Sequence, residues 1–187
     1  MALIQSTAIP SSGGYEIDQS LRFNDDDSAY LSWTPASAGN RKTWTWSGWV
    51  KRGNLGAVQD LLHCYDGSSS QRFEIKFETS NALRVYTGGS TGKGNVYTTA
   101  VFRDTGSWYH ITVAMDTTQA TAADRIKLYV NGTLQTITIN EQVSQNFDAL
   151  INTTNSHQIA SQTGGTLFDG YLAEVNFIDG QALTPAD

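Results

Sequence analysis

Residues 43–51 read Thr43-Trp44-Thr45-Trp46-Ser47-Gly48-Trp49-Val50-Lys51. A strand sends successive side chains to opposite faces. Trp44, Trp46, Gly48 and Val50 therefore share one face, and Thr45, Ser47, Trp49 and Lys51 share the other. If Trp44 and Trp46 fill a core, Trp49 points away from it. The same period of two recurs on both sides of this stretch. Leu21-Arg22-Phe23 leads through an acidic turn, Asn24 to Asp27, into Ala29-Tyr30-Leu31. Phe73, Ile75 and Phe77 alternate with Glu74, Lys76 and Glu78. Leu83-Arg84-Val85-Tyr86 ends in Thr87-Gly88-Gly89. Tyr109, Ile111, Val113 and Met115 alternate with His110, Thr112 and Ala114.

Further along, Ile126, Leu128 and Val130 alternate with Arg125, Lys127 and Tyr129 and stop at Asn131-Gly132. That pair suits a type I′ hairpin, because both central residues need positive φ. Leu134 to Ile139 is expected to run back against the preceding strand. Tyr171, Ala173, Val175 and Phe177 alternate with Leu172, Glu174, Asn176 and Ile178. Seven or more short alternating strands, with no helical period of comparable length, predict an all-β chain: an antiparallel two-sheet β-sandwich. Residues 1–19, polar and rich in Gly and Ser, read as a flexible N-terminal arm. Residues 20–187 read as one domain. Gly88 to Asn95 reads as a mobile loop.

Composition narrows the function classes. The 187 residues carry 12 Lys and Arg against 18 Asp and Glu, a net charge of −6. A polyanion-binding surface needs net positive charge, so nucleic acid is not an expected partner. Mean hydropathy is −0.34, and no apolar run approaches the ~20 residues of a membrane-spanning helix. Charged residues are only 16%; Thr and Ser, at 22 and 17, carry the polar load instead. Cys64 is alone, so no intrachain disulfide forms. Met1-Ala2-Leu3-Ile4-Gln5 lacks the basic start and apolar stretch of a secretory signal, and the expectation is assembly in a cytosol.

Several segments, in order, resemble one family. Thr45-Trp46-Ser47-Gly48-Trp49-Val50-Lys51, Trp108-Tyr109-His110-Ile111-Thr112-Val113, Lys127-Leu128-Tyr129-Val130-Asn131-Gly132 and Phe168-Asp169-Gly170-Tyr171-Leu172-Ala173-Glu174-Val175 are similar to segments of laminin-G-like jelly rolls. These belong to the concanavalin-A-like lectin/glucanase superfamily. Residues 40–52 and the ending Asn176 to Pro185 resemble laminin-G-like modules of marine bacteriophage tail and other virion proteins. The resemblance implies a concanavalin-A-like jelly roll in a virion, assembled in the host cytoplasm. It implies other virion proteins as partners, a homo-oligomer by analogy with phage fibres, and host-surface glycan as a ligand.

Glucanases of this superfamily carry two Glu around an Asp on one strand. Here Glu74-Ile75-Lys76-Phe77-Glu78 puts Lys76 in the middle. A general acid needs a raised pKa, and a neighbouring cation lowers it. The stretch is expected to be a solvated Glu-Lys-Glu face, with no catalytic residue and no enzyme activity. No Gly-x-Ser-x-Gly elbow occurs, and His63 and Cys64, as strand neighbours, face opposite ways. Many relatives hold Ca²⁺ at the sandwich rim, with an Asp before the aromatic that matches Phe73. Arg72 stands there, so no metal and no cofactor is expected, with Asn24 to Asp27 and Asp66 as the remaining acidic candidates for Ca²⁺.

Sugars pack flat C–H faces on aromatic rings and pair hydroxyls with polar side chains. The candidate glycan-binding residues are Trp33, Trp49, Tyr65, Asp66, Arg72, Tyr86, Asn95, Tyr97 and Tyr129. The alternatives are a structural role, in which an aromatic face docks to other virion proteins, and, more remotely, a glycan-cleaving enzyme. At the end, Thr184-Pro185-Ala186-Asp187 reads as a helix start, as in a fragment of a longer protein.

Overall fold

The computed structural model describes residues 18–67, 71–88, 93–163 and 165–187. Most of the expected arm (1–17) and part of the expected loop (89–92) lie outside the described residues. Thirteen strands follow in chain order: β1 (Leu21–Phe23), β2 (Leu31–Trp33), β3 (Thr43–Arg52), β4 (Gln59–Tyr65), β5 (Arg72–Phe77), β6 (Ala82–Thr87), β7 (Gly94–Val101), β8 (Tyr109–Asp116), β9 (Ile126–Val130), β10 (Thr133–Leu134), β11 (Ile137–Glu141), β12 (Ser156–Ile159) and β13 (Gly170–Asp179). The helical content of the described residues is a 3₁₀ turn at Ala122–Asp124. One sheet has six strands in the order β1-β13-β3-β8-β9-β10; the other has seven, β11-β7-β6-β5-β4-β12-β2. Every pairing is antiparallel.

The deciding stretch forms β3, at the centre of the six-stranded sheet. Trp44, Trp46 and Val50 are fully buried. Trp44 meets Phe73 of the other sheet edge-on, with ring centroids 5.2 Å apart, and stacks on Phe177 at 5.6 Å. Neither indole N–H of Trp44 or Trp46 has a hydrogen-bond partner among the described residues. Such an orphan costs about 1–3 kcal/mol. Burying roughly 150–250 Å² of each ring contributes up to about 4–6 kcal/mol, so packing wins. The Asn131-Gly132 turn has the expected positive φ at both residues, 50° and 76°.

In three places the chain departs from simple alternation. In β13 the register against β3 slips between Ala173 and Asn176, with Glu174 at φ 48°. This bulge reverses the parity of the strand. Leu172 is buried opposite Val50 while Tyr171 is exposed; beyond the bulge Val175 and Phe177 turn inward. The single alternating face expected over 171–177 is thus two half-faces.

Residues 134–139 do not all return along β9. Thr133 and Leu134 pair there and Gln135 N donates to Leu128 O; the chain then crosses, and β11 pairs with β7 in the other sheet. Finally, β4, β7 and β12 are strands that the alternation does not announce, and β2 starts two residues later than expected. In β4 six of seven residues are buried, so no alternation marks it. At the end, Thr184 and Asp187 close a hydrogen-bonded turn: the Asp187 carboxylate accepts from Thr184 N and Oγ1 at 2.8 and 2.9 Å.

Candidate functional site

Side chains on the outer face of the seven-stranded sheet form a lattice set by register. One row runs His63, Glu74, Tyr86, Asn95; the next runs Asp60, Lys76, Arg84, Tyr97; Tyr65 and Arg72 pair at the end. The centre of this face is charged and buried. Glu74 is 0% exposed and Lys76 is 7%. Glu74 lies 2.5 Å from Arg72, 3.0 Å from Lys76 and 3.9 Å from Arg84. Lys76 and Arg84 also reach Glu78, at 3.9 and 2.9 Å. The expected solvated Glu-Lys-Glu stretch is therefore corrected: it is a buried ionic lattice, because β4 flanks it with Asp60 and His63 and β6 with Arg84 and the arginine-stacked Tyr86.

The electrostatics follow from burial and pairing. Burial alone would raise the Glu74 carboxyl. The charges and hydrogen bonds of Lys76 and Arg72 outweigh it and hold the group below its ordinary value. Glu74 is thus held ionised, opposite to what a proton donor needs. Asp60 is raised to about 7, first by burial, against the hydrogen bond from Thr166 and the charge of Lys76. Its Oδ2 accepts from Thr166 Oγ1, and its Oδ1 has no partner among the described residues. Burial lowers His63 to about 4, with Glu74 opposing, and neither ring nitrogen has a hydrogen-bond partner among the described residues.

Around this centre the aromatic and amide side chains gather. Tyr86 is clasped between two guanidinium groups, Arg72 at 4.8 Å and Arg84 at 4.9 Å. Arg84 also lies 5.3 Å from the Tyr97 ring and donates to Asn95 Oδ1 at 2.9 Å. Tyr65 stacks on His63 at 6.1 Å. Five of the nine expected residues, Tyr65, Arg72, Tyr86, Asn95 and Tyr97, thus share one face, and exposed Asp66 follows β4 at its end.

The other three lie elsewhere. Trp33, 38% exposed, stacks on buried His157 at 4.9 Å at the opposite edge of the sheet. Trp49 and Tyr129 belong to the outer face of the six-stranded sheet. Tyr129 is 9% exposed and shares a cleft with Ala182, Leu183 and Thr184, so it offers less open ring surface than a glycan-binding aromatic needs. Tyr86, also 9% exposed, is likewise more enclosed than expected.

Arg84, His63 and Asp60 join the face without having been expected there. Arg84 alternates with Tyr86 on a strand already recognised, so parity alone would have placed it. Cys64 is fully buried, and burial pushes its thiol up to about 11. Among the described residues no three of His, Cys, Asp and Glu converge as metal ligands. In the Asn24–Asp27 turn, Asp27 accepts from Asn24 and Asp25 accepts from Asp26 N and Asn54.

Two layers, thirteen antiparallel strands and an outward polar-aromatic face suit one superfamily, and the sequence profile agrees. The profile of the concanavalin A-like lectin/glucanases superfamily, in its laminin-G form, matches residues 25–187. The chain belongs to this superfamily. No curated protein sequence matches the chain significantly. Among solved structures, this jelly roll is similar to a native heptameric SAP-like pentraxin from Limulus polyphemus. That match has 16% identity and TM-score 0.53, and covers 83% of this chain and 71% of the other. It is also similar to domain 4 of AbnA, an extracellular GH43 arabinanase from Geobacillus stearothermophilus, in complex with arabinotriose; identity is 19%, TM-score 0.56, coverage 81% and 66%. A third match is the CBM40 of a Ruminococcus gnavus IT-sialidase bound to α2,3-sialyllactose, with 14% identity, TM-score 0.54 and coverage of 83% and 92%. At such identities the likeness is one of fold.

Proposed function

We propose that this jelly roll is a non-catalytic glycan-binding module that attaches a bacteriophage particle to its host, through the outer face of the seven-stranded sheet. The observation that carries the reading is the clasped group Tyr65, Arg72, Tyr86, Asn95 and Tyr97. Rings there are held rigid by guanidinium stacking, beside an amide and two arginines. Rigid aromatic and amide groups are what a pyranose face and its hydroxyls need. The ion-paired Glu74 supports binding without cleavage. The resemblance of residues 40–52 and 176–185 to phage virion modules supports the location, and repeated copies would turn weak sites into avid attachment. No cofactor enters the reading.

A glycan array probed with the full chain tests it. Binding that is lost in Tyr97→Ala and Asn95→Ala, and retained in EDTA, is the expected result. A folded chain that binds no glycan and does not compete with phage adsorption would refute it.

A second reading, docking to other virion proteins, is favoured by a different observation. Between β1 and β2 the sandwich edge opens into a cleft of about 320 Å³ lined by Phe23, Ile159, Leu172 and Val175, with Leu21 and Leu31 55% and 46% exposed. A map of the intact particle with this edge covered by another virion protein would support it.

A further inference from the structure

A second group of aromatic side chains lies on the other side of the molecule, outside the face just described. Trp49 of β3 and His110 of β8 are paired in register on the outer face of the six-stranded sheet, with ring centroids 4.9 Å apart. Trp108 precedes β8 and meets Tyr171 at 6.4 Å. Trp49, Trp108, His110, Asn131, Gly132 and Pro185 line an open depression of about 440 Å³. That lies within the ~300–1,000 Å³ range of small-molecule sites.

The polar groups in this depression are fixed and unused. Asn131 is held by both ends of His110: its N–H donates to His110 O, and its Oδ1 accepts from His110 N, each at 2.8 Å. Its Nδ2 is left with no partner among the described residues, as are the indole N–H groups of Trp49 and Trp108. Among the described residues no charged side chain lines the depression. Arg22, which sits over Tyr171, is paired with Asp169 at 2.5 Å. Burial holds His110 below its ordinary value, so the ring is neutral near pH 7.

We propose that the depression around Trp49 and Trp108 is a second saccharide site, separate from the first, that takes an uncharged pyranose glycan. Flat indole faces suit the C–H face of a pyranose, and the fixed Asn131 amide and indole N–H groups suit its hydroxyls. The absence of charge in the lining selects a neutral sugar. An anionic one would lose hydration with no cation in the lining to compensate. The two Trp residues were visible in the sequence, but only the β3–β8 register and the Asn131 turn bring them together.

The test is a titration of the ¹⁵N-labelled full chain with cellohexaose, maltohexaose and mannohexaose, with 3′-sialyllactose as the anionic comparison. The buried indoles of Trp44 and Trp46 serve as internal references. A neutral oligosaccharide is expected to move the Trp49 and Trp108 indole signals and the Asn131 side-chain amide, and sialyllactose is expected to leave them in place. Asn131→Asp keeps the positive-φ turn and the acceptor for His110 N–H but removes the Nδ2 donor and adds charge. It should weaken the effect at least about fivefold, with the rest of the spectrum unchanged. No indole movement up to about 10 mM of each sugar would overturn the proposal, as would movement that Asn131→Asp leaves intact or movement caused by sialyllactose alone. Shifts confined to Asn95 and its neighbours would overturn this site and leave the first standing; shifts confined to the indoles would do the reverse.

Discussion

Asp60→Asn is the most revealing single substitution, because Asp60 and His63 lie on one strand and titrate in opposite senses. Asp60 is fully buried and its carboxyl is raised from 3.8 to about 7. Between those values the native state keeps a proton that the unfolded chain has lost. Stability therefore falls as pH rises through the window, and the loss is complete above about 7. At about 1.36 kcal/mol for each tenfold change in the proton equilibrium, the ceiling is about 4 kcal/mol. His63 is lowered from 6.5 to about 4. There the unfolded chain holds the extra proton, and stability falls by up to about 3 kcal/mol as pH drops from 6.5 towards 4. In the overlap the two slopes cancel, and their joint contribution is level until Asp60 ionises.

Asp60→Asn removes one slope and leaves the other. The introduced amide can still accept from Thr166 through its carbonyl oxygen, so the packing is retained. The variant should match the parent near pH 4 and exceed it by up to about 4 kcal/mol near pH 8. Its own stability should decline on acidification below about pH 6.5, as His63 predicts. Urea unfolding followed by tryptophan fluorescence, from about pH 4 to 8.5, gives the free energies by linear extrapolation. A difference between variant and parent that stays constant across that range would refute the reasoning.

Two further substitutions probe the same fold. Glu74→Gln leaves Lys76, with a side chain only 8% exposed, beside Arg72 and Arg84 without its carboxylate; breaking a buried pair in this way costs about 3–5 kcal/mol. A loss below about 1 kcal/mol by urea unfolding would show that the lattice is better hydrated than its burial indicates. Gly170 has φ 151°, and a Cβ there would overlap Lys51 O and lie 2.6 Å from Phe168 Cζ. Gly170→Ala should destabilise by about 3 kcal/mol or more, lowering Tm by roughly 10 °C for a domain of this size, as read by circular dichroism.

The superfamily came from the resemblance of whole segments to laminin-G-like jelly rolls; alternation and turn residues were enough to establish two layers, the inward placement of Trp44 and Trp46, and the Asn131-Gly132 turn. Each rests on a local rule: side chains alternate along a strand, and two consecutive positive φ values favour Asn-Gly. Several features needed the tertiary structure. The β13 bulge is one, since a single residue at positive φ reverses parity without a mark in composition. The crossing at Gln135 and Thr136 is another, since edge strands of both sheets compete for the same segment. Burial of Glu74 and His63, and the division of the nine expected aromatic and polar residues between two faces and an edge, are a third. These depend on which strands become neighbours, and pairing is decided by contacts between segments far apart in the chain, where a local pattern carries no information.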